Sequence, residues 1–437
     1  MGIGIGLLGL GTVGGGVAEI IQEASGRHPL VQALSLKRVA VRDPSRPRSV
    51  AVPAGVLTTS PEQVVDDPGV EIVVELIGGL EPARTLILRA IAAGKSVVTA
   101  NKAVIARHGE EIAAAAAEAG VYVLIEAAVG GGIPIIEPLK QSLGGNRIRR
   151  VSGIINGTTN YILTRMAGEG AGYAEVLAQA QELGYAEADP AADVDGHDAA
   201  DKIAILAGLA FGGPVDRLAI PTEGISRLDG RDVGYARRLG YAVKLLATAQ
   251  ALEEAEDDPQ GARPLDIQVH PTLVPLDHPL AGVNGVNNAI LVEGDPIGQV
   301  MFYGPGAGAG PTASAVVADI LNIAGIRQVQ SEGRSLDPLL AAGSWRRCVL
   351  ADPSRSRHRN YVRLKTRDEP GVIGTIGRCF GDRGVSIQSI VQLEAQGAAA
   401  EIVVITHEVS EARFQEAMAA IRSHGAIDAV AACLRTL

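Results

Sequence analysis

Asp198 and Lys202 stand four residues apart in the run Asp193-Val-Asp-Gly-His-Asp198-Ala-Ala-Asp-Lys202. On a helix that spacing stacks a carboxylate and an amine on one face. Oxidising an alcohol needs a base for the hydroxyl proton while hydride leaves the carbon, and the reverse needs an acid. A lysine serves both directions if burial or a second cation lowers its pKa. The hydride carrier is signalled at the other end of the chain. Gly9-Leu-Gly11-Thr-Val-Gly14 follows an apolar run and opens a helical pattern. Glycines there let the backbone turn tightly and approach a pyrophosphate, while the helix aims its N–H groups at the anion. Each signal also has a plain structural reading. A helical Asp–Lys pair is worth a few tenths of a kcal/mol, and a Gly-rich turn need bind nothing. The strand–turn–helix context favours the dinucleotide site.

Other residues gather around these two signals. Thr99-Ala-Asn-Lys102 follows the fourth apolar run. Ligands of doubly wound sheets bind outside the carboxyl ends of the strands, so Lys102 is expected near the nicotinamide and is the candidate second cation. In Gly184-Tyr-Ala-Glu187, Glu187 joins Asp198 as a carboxylate able to hold the ammonium of an amino-acid substrate. Arg42 and Asp43 end the second strand, with Arg46 and Arg48 close by. An acid there would hold a ribose hydroxyl of NAD, and an arginine the 2′-phosphate of NADP; the arginines favour NADP. A solvated basic loop is the equal alternative. Asn156-Gly-Thr-Thr-Asn160 reads as a polar turn after a strand. His197 falls off the Asp198–Lys202 face and reads as structural.

Composition removes several classes. The net charge of −10 with no basic, aromatic-interleaved stripe argues against nucleic acid. Cys348, Cys379 and Cys433 form no metal spacing or disulfide framework, which suits a reducing cytoplasm. No cysteine precedes them, so a thioester-forming aldehyde dehydrogenase is disfavoured. The scattered histidines disfavour a zinc alcohol dehydrogenase. The uncharged stretch 1–18 lacks a basic flank and is broken by glycines, so it is not read as a leader. No window is read as a membrane span.

The first 125 residues alternate strand and helix: strands at 3–8, 34–41, 71–77, 96–99 and 121–125, helices at 12–23, between Pro82 and Gly94, and at 112–119. That is an α/β, Rossmann-type doubly wound parallel sheet. An α+β region follows, with strands at 148–155, 267–274 and 289–292, and helices at 161–167, 173–183, 201–211 and 231–251. A helix at 313–324 is expected to return to the first sheet. The expected domains are a nucleotide-binding domain at 1–130 completed by 306–330, a substrate and oligomerisation domain at 131–305, a linker at 331–358 with an acidic solvated run earlier at 253–258, and a small ferredoxin-like unit at 359–437.

Together these motifs, with Glu126-Ala-Ala-Val-Gly-Gly-Gly-Ile-Pro134, resemble the homoserine dehydrogenase family over roughly residues 3–325. The resemblance implies NAD(P)-dependent interconversion of L-homoserine and L-aspartate 4-semialdehyde, on the route to threonine, isoleucine and methionine. It implies Lys202 as proton donor and acceptor, and Lys102 touching both cofactor and substrate. It implies Glu187, Asp198 and Asp193 around the substrate, and Gly9, Leu10, Gly11, Thr12, Val13, Gly14, Gly184 and Gly306 around the cofactor. It implies a monovalent cation site, usually Na+, built largely from backbone carbonyls at Glu126, Val129, Gly131 and Ile133. A homodimer or homotetramer is the family's assembly. The tail from Asn360, with Asp368-Glu-Pro-Gly371-Val-Ile-Gly374, resembles an ACT domain and implies threonine as a feedback effector, or a role in assembly alone. Two other functions stay open on the residues: another NAD(P) oxidoreductase of a small amino-acid aldehyde or alcohol, and a non-catalytic amino-acid sensor.

Overall fold

The computed structural model describes residues 2–53, 55–252, 264–331, 352–392 and 399–436. The acidic run 253–258, Cys348 and most of the expected linker lie outside them. The chain divides into two compact units, Met1–Gly343 and Ser344–Leu437.

The first unit opens with β1 (Ile3–Leu8), α1 (Thr12–Gln22), β2 (Leu34–Ala40), β3 (Leu57–Thr58), α2 (Pro61–Asp66), β4 (Ile72–Glu75), α3 (Ala83–Ala92), β5 (Ser96–Thr99), α4 (Lys102–Ala119) and β6 (Val123–Leu124). The strands form one sheet in the order β3-β2-β1-β4-β5-β6, every pair parallel. β4 and β5 are wholly buried, as strands covered on both faces must be.

A second sheet follows: β7 (Arg147–Ile154), α5 (Gly157–Glu169), α6 (Tyr173–Glu182), α7 (Ala191–Val194), α8 (His197–Phe211), α9 (Gly230–Arg238), β8 (Tyr241–Ala251), β9 (Leu265–Pro275), β10 (Asn287–Asp295) and β11 (Gly298–Pro305). Its order is β11-β10-β7-β8-β9, all antiparallel. Val151, Ala247, Val269 and Ile290 on one face share a core with Ile162, Ile203 and Leu206 of the helices.

Two expectations need correction. The single helix expected at 231–251 is a short helix ending at Arg238 and then strand β8. Gly240, at φ +86°, turns the chain between them, a conformation that favours glycine. The second concerns α10 (Ala309–Ser331). Its 309–327 stretch has the length and apolarity of a membrane span, which no window was expected to have. Over half of that window is buried, 56%. Ala313, Val316, Ile320 and Ile323 pack with Val17, Ile5 and Val74 under the first sheet. The approach is close: a Cβ at Gly16 would stand 2.8 Å from Ala313 Cβ.

The second unit runs β12 (Arg357–Arg367), α11 (Val372–Gly381), β13 (Ile387–Gln392), β14 (Ala399–Thr406), β15 (Val409–Ser410), α12 (Glu411–Ser423) and β16 (Ile427–Thr436). β12 lies between β14 and β16, all antiparallel. Phe380, Phe414, Ile376 and Val404 fill the core under the helices.

Candidate functional site

The Gly9–Gly14 turn is built as its glycines require. Gly9 takes φ +107°. A Cβ at Gly14 would collide with the Gly9 carbonyl, whereas one at Gly11 would meet nothing within 4 Å. The first contact lets helix and strand close up, and the open side at Gly11 leaves room for an anion. Leu10 is buried, Val13 half-buried and Thr12 exposed. After β2, Asp43 Oδ1 accepts from the Ser45 N–H at 2.9 Å and from its hydroxyl at 2.7 Å. Arg48 folds back on the carbonyls of Pro44 and Arg46 at 3.1 and 2.8 Å. Arg42 is exposed, and among the described residues no hydrogen bond or ion pair engages it.

The cluster around Asp198 and Lys202 forms where the two sheets meet. Gly196 at φ +84° starts α8, which places Asp198 in its first turn, where the helix dipole favours an anion. One turn later Lys202 Nζ stands 2.9 Å from Asp198 Oδ2 and donates to the Ile155 carbonyl at 2.8 Å. Lys102 reaches the other Asp198 oxygen from the start of α4. Asp198 and Lys202 are 6% and 9% exposed, far from the exposed i,i+4 pair of the plain reading. The Lys102–Asp198 pair joins the first sheet's carboxyl edge to the second region.

Asn156 knits the acids together. Its Nδ2 donates to Asp193 Oδ1 at 2.7 Å and to Asp198 Oδ2 at 3.0 Å, while its Oδ1 caps α5 by accepting from Thr159 N–H at 2.9 Å. The single Thr158 hydroxyl hydrogen is shared between the Tyr185 carbonyl at 2.7 Å and Asp193 at 3.1 Å. Burial alone would raise the Asp198 pKa, but the Lys202 and Lys102 charges and these hydrogen bonds outweigh it and hold the carboxyl well below its usual range. Burial likewise pulls Lys102 down, and Asp198 outweighs it, so Lys102 is held charged above its ordinary value. Lys102 therefore spends its charge on Asp198. Glu187 is exposed and its carboxylate joins none of these bonds; its carbonyl accepts from Gln181 at 3.0 Å. Gly184 sits in an exposed turn at φ +75°. His197 is exposed at the start of α8, away from the cluster.

Lys102 is itself held by a network hidden from sequence inspection. Glu75, fully buried, accepts from Thr99 hydroxyl at 2.6 Å and from the Ile77 and Gly78 N–H groups at 2.8 and 3.1 Å. Thr99 oxygen accepts from Asn101 N–H at 2.9 Å, and Asn101 caps α4. Asn101 and Asn156, each just before a helix, carried a cap signal that could have marked both.

The 126–133 loop is buried at Glu126, Val129, Gly131 and Ile133. The Glu126 carboxylate accepts from the N–H groups of Ile135, Ile136 and Glu137 at 2.6, 2.8 and 2.8 Å. Among the described residues no N–H donates to the carbonyls of Val129, Gly131 or Ile133. Buried carbonyl oxygens without donors fit a hard cation. Gly131 leaves no room for a side chain, because a Cβ there would collide with the carbonyl of Gly306, itself buried.

Comparison with known proteins bears on this arrangement. A family model for homoserine dehydrogenase matches residues 134–321, one for the homoserine dehydrogenase NAD-binding domain matches 9–126, and one for the ACT domain matches 360–426. The chain is 56% identical to a homoserine dehydrogenase of Synechocystis sp. over the whole of both chains. It is 42% identical to that of Bacillus subtilis, over 95% of this chain and 93% of the relative. Among solved structures, a homoserine dehydrogenase of Thiobacillus denitrificans is 43% identical with a TM-score of 0.68, covering 100% of this chain and 98% of that one. A hyperthermophilic archaeal homoserine dehydrogenase in complex with NADPH is 31% identical with a TM-score of 0.61, over 74% of this chain and 98% of its own.

Proposed function

The chain belongs to the homoserine dehydrogenase family of NAD(P)-dependent oxidoreductases, and from that premise we propose that Lys202 moves the proton of the reaction. The observation that carries this is the buried placement of its Nζ, held between Asp198 and the Ile155 carbonyl. Bound NAD(P) supplies the hydride acceptor or donor. In the oxidative direction the neutral Lys202 amine takes the hydroxyl proton of homoserine as hydride leaves the same carbon. In the reductive direction its ammonium returns the proton to the aldehyde oxygen. Asp198 orients that amine. Asp193 and Glu187, with Asp198, are the carboxylates for the substrate ammonium, and Lys102 lies at the substrate–cofactor junction.

Gly9, Leu10, Gly11, Thr12, Val13 and Gly14 hold the dinucleotide, with Gly184 and Gly306 as further contacts. NADP is the favoured form, because among the described residues no hydrogen bond or ion pair engages the exposed Arg42, whereas Asp43 Oδ1 is taken by both Ser45 donors. The carbonyls of Glu126, Val129, Gly131 and Ile133 would hold a monovalent cation, Na+. The domains run 1–130 with 306–330, 131–305, and 359–437 after a linker. The enzyme works in the cytoplasm as a homodimer or homotetramer, and the ACT domain takes threonine as effector.

The test is homoserine oxidation with NADP+ and with NAD+, each with and without millimolar threonine. Homoserine should outperform serine, threonine and simple alcohols by a wide margin. Absence of turnover in a protein that binds nucleotide would leave the sensor function. Arg42→Ala should weaken NADPH more than NADH, and equal loss for both would remove the 2′-phosphate role.

A further inference from the structure

Asn288 is 1% exposed, and its Oδ1 is buried without any hydrogen-bond partner. Orphaned buried polar atoms are rare in native proteins and point to a missing partner.

Its position says what kind of partner is missing. Ala289 pairs with Ile154 across β10 and β7, which sets Asn288 beside Ile155, the residue whose carbonyl holds Lys202 Nζ. Ile290 and Val292, at the same parity, face the α5–α8 core, so the amide stands on the cluster's side of the sheet. Two glycines make room for it. A Cβ at Gly306 would collide with the Asn288 amide, and one at Gly157 would stand 3.6 Å from Oδ1. The amide therefore lies beside Ile155, whose carbonyl holds Lys202, and against the buried Gly306 turn.

We propose that Asn288 binds the carboxamide of the nicotinamide ring, an inference that rests on the dehydrogenase function proposed above. Hydride transfer requires the ring to lie against the substrate carbon whose oxygen faces Lys202. A side-chain amide offers one acceptor and a pair of donor hydrogens, and a primary carboxamide is its complement. The substrate carboxylate has only acceptors and would leave Oδ1 unpaired. The substrate ammonium has Asp193 and Asp198 nearby. The paired amides fix the ring's rotation about its glycosidic bond, and so which face it turns to the substrate.

The test compares NADP+ with its 3-acetylpyridine analogue, in which a methyl group replaces the carboxamide NH2. Dissociation constants are measured by calorimetry without homoserine, so turnover plays no part. Wild type should prefer NADP+ by about tenfold, the scale of one buried hydrogen bond. Asn288→Ala should bind the two within about twofold. Should Asn288→Ala fail to fold, Asn288→Ser gives the same ratio with a smaller change of polarity. An undiminished preference in the variant, or none in wild type, overturns the assignment and leaves a buried water as the amide's partner. Loss of homoserine turnover with this binding preference intact would instead count against the dehydrogenase function.

Discussion

Asp198 and Asp319 are buried to a similar degree, 6% and 1% exposed, yet they titrate in opposite directions. Asp198 faces two ammonium groups and the Asn156 amide, and stays ionised well below its usual range. Asp319 lies on α10 and receives one N–H, from Glu126 at 2.8 Å. Its neighbours are acids: carboxylate oxygens of Glu126, Glu137 and Asp319 lie within 4.8 Å of one another. Burial, with those charges adding to it, pushes Asp319 up to about 8. Burial penalises charge at both places, and the partner decides the outcome. At Asp198 the two lysines favour the charged form, whereas at Asp319 burial among acids favours the protonated one.

The sharpest way to break this contrast is to remove the cleft's central cation. Lys202→Ala should lower kcat by roughly 10²–10⁴, the usual range for a lost general acid–base. KM should change less, because Lys102 still pairs with Asp198. Near-wild-type turnover would move the proton-transfer role elsewhere. The next largest effect is expected from Asp198→Asn, which leaves Lys202 and Lys102 facing each other without their counter-charge. Breaking a buried pair costs about 3–5 kcal/mol, and the lower end applies because the Lys102 side chain is 36% exposed. Denaturant unfolding reads this directly. The acid limb adds a sign. Asp198 has a depressed pKa in the folded state, so its contribution is present above 3.8 and disappears as pH falls below it. The variant should show a shallower loss of stability on acidification. An unchanged acid limb would mean that the Asp198 charge does not stabilise the fold.

Much of this architecture could be read from the residues, and the exceptions share a cause. β1 and β5 fall where their apolar runs begin and end, because strands covered on both faces show as unbroken runs between turn residues. The Asp198–Lys202 pair was visible because helical spacing is local. β8 reads as helix from sequence because Ala-Val-Lys-Leu-Leu-Ala is buried on both faces, so it shows no alternation while its Ala and Leu suit a helix. Lys102 stands out just after the fourth apolar run, but its pairing with Asp198 crosses 96 positions and no local pattern records it. The same holds for Asn156 bridging two acids, and for the orphaned Asn288. Glu126 was expected to matter through its carbonyl; its carboxylate also stitches three N–H groups of the following loop.

The last variant probes the other side of the contrast, through a dependence on pH. Asp319→Asn keeps an oxygen for the Glu126 N–H and offers its own N–H to the neighbouring acids, much as the protonated carboxyl does. Below pH 3.8 the aspartate is neutral in both folded and unfolded chains, so wild type and variant should be close. Between 3.8 and about 8 the unfolded chain has lost the proton that the folded chain keeps. Fewer protons on the unfolded state means that wild-type stability falls, relative to the variant, as pH rises through this window. The slope is at most about 1.4 kcal/mol per pH unit, the limit for one proton. Melting temperatures of both proteins from pH 4 to 8.5 should therefore diverge steadily in the variant's favour and then run parallel. Parallel curves throughout would mean that Asp319 is ionised in the folded protein. The contrast with Asp198 would then lie in hydrogen bonding alone, not in charge.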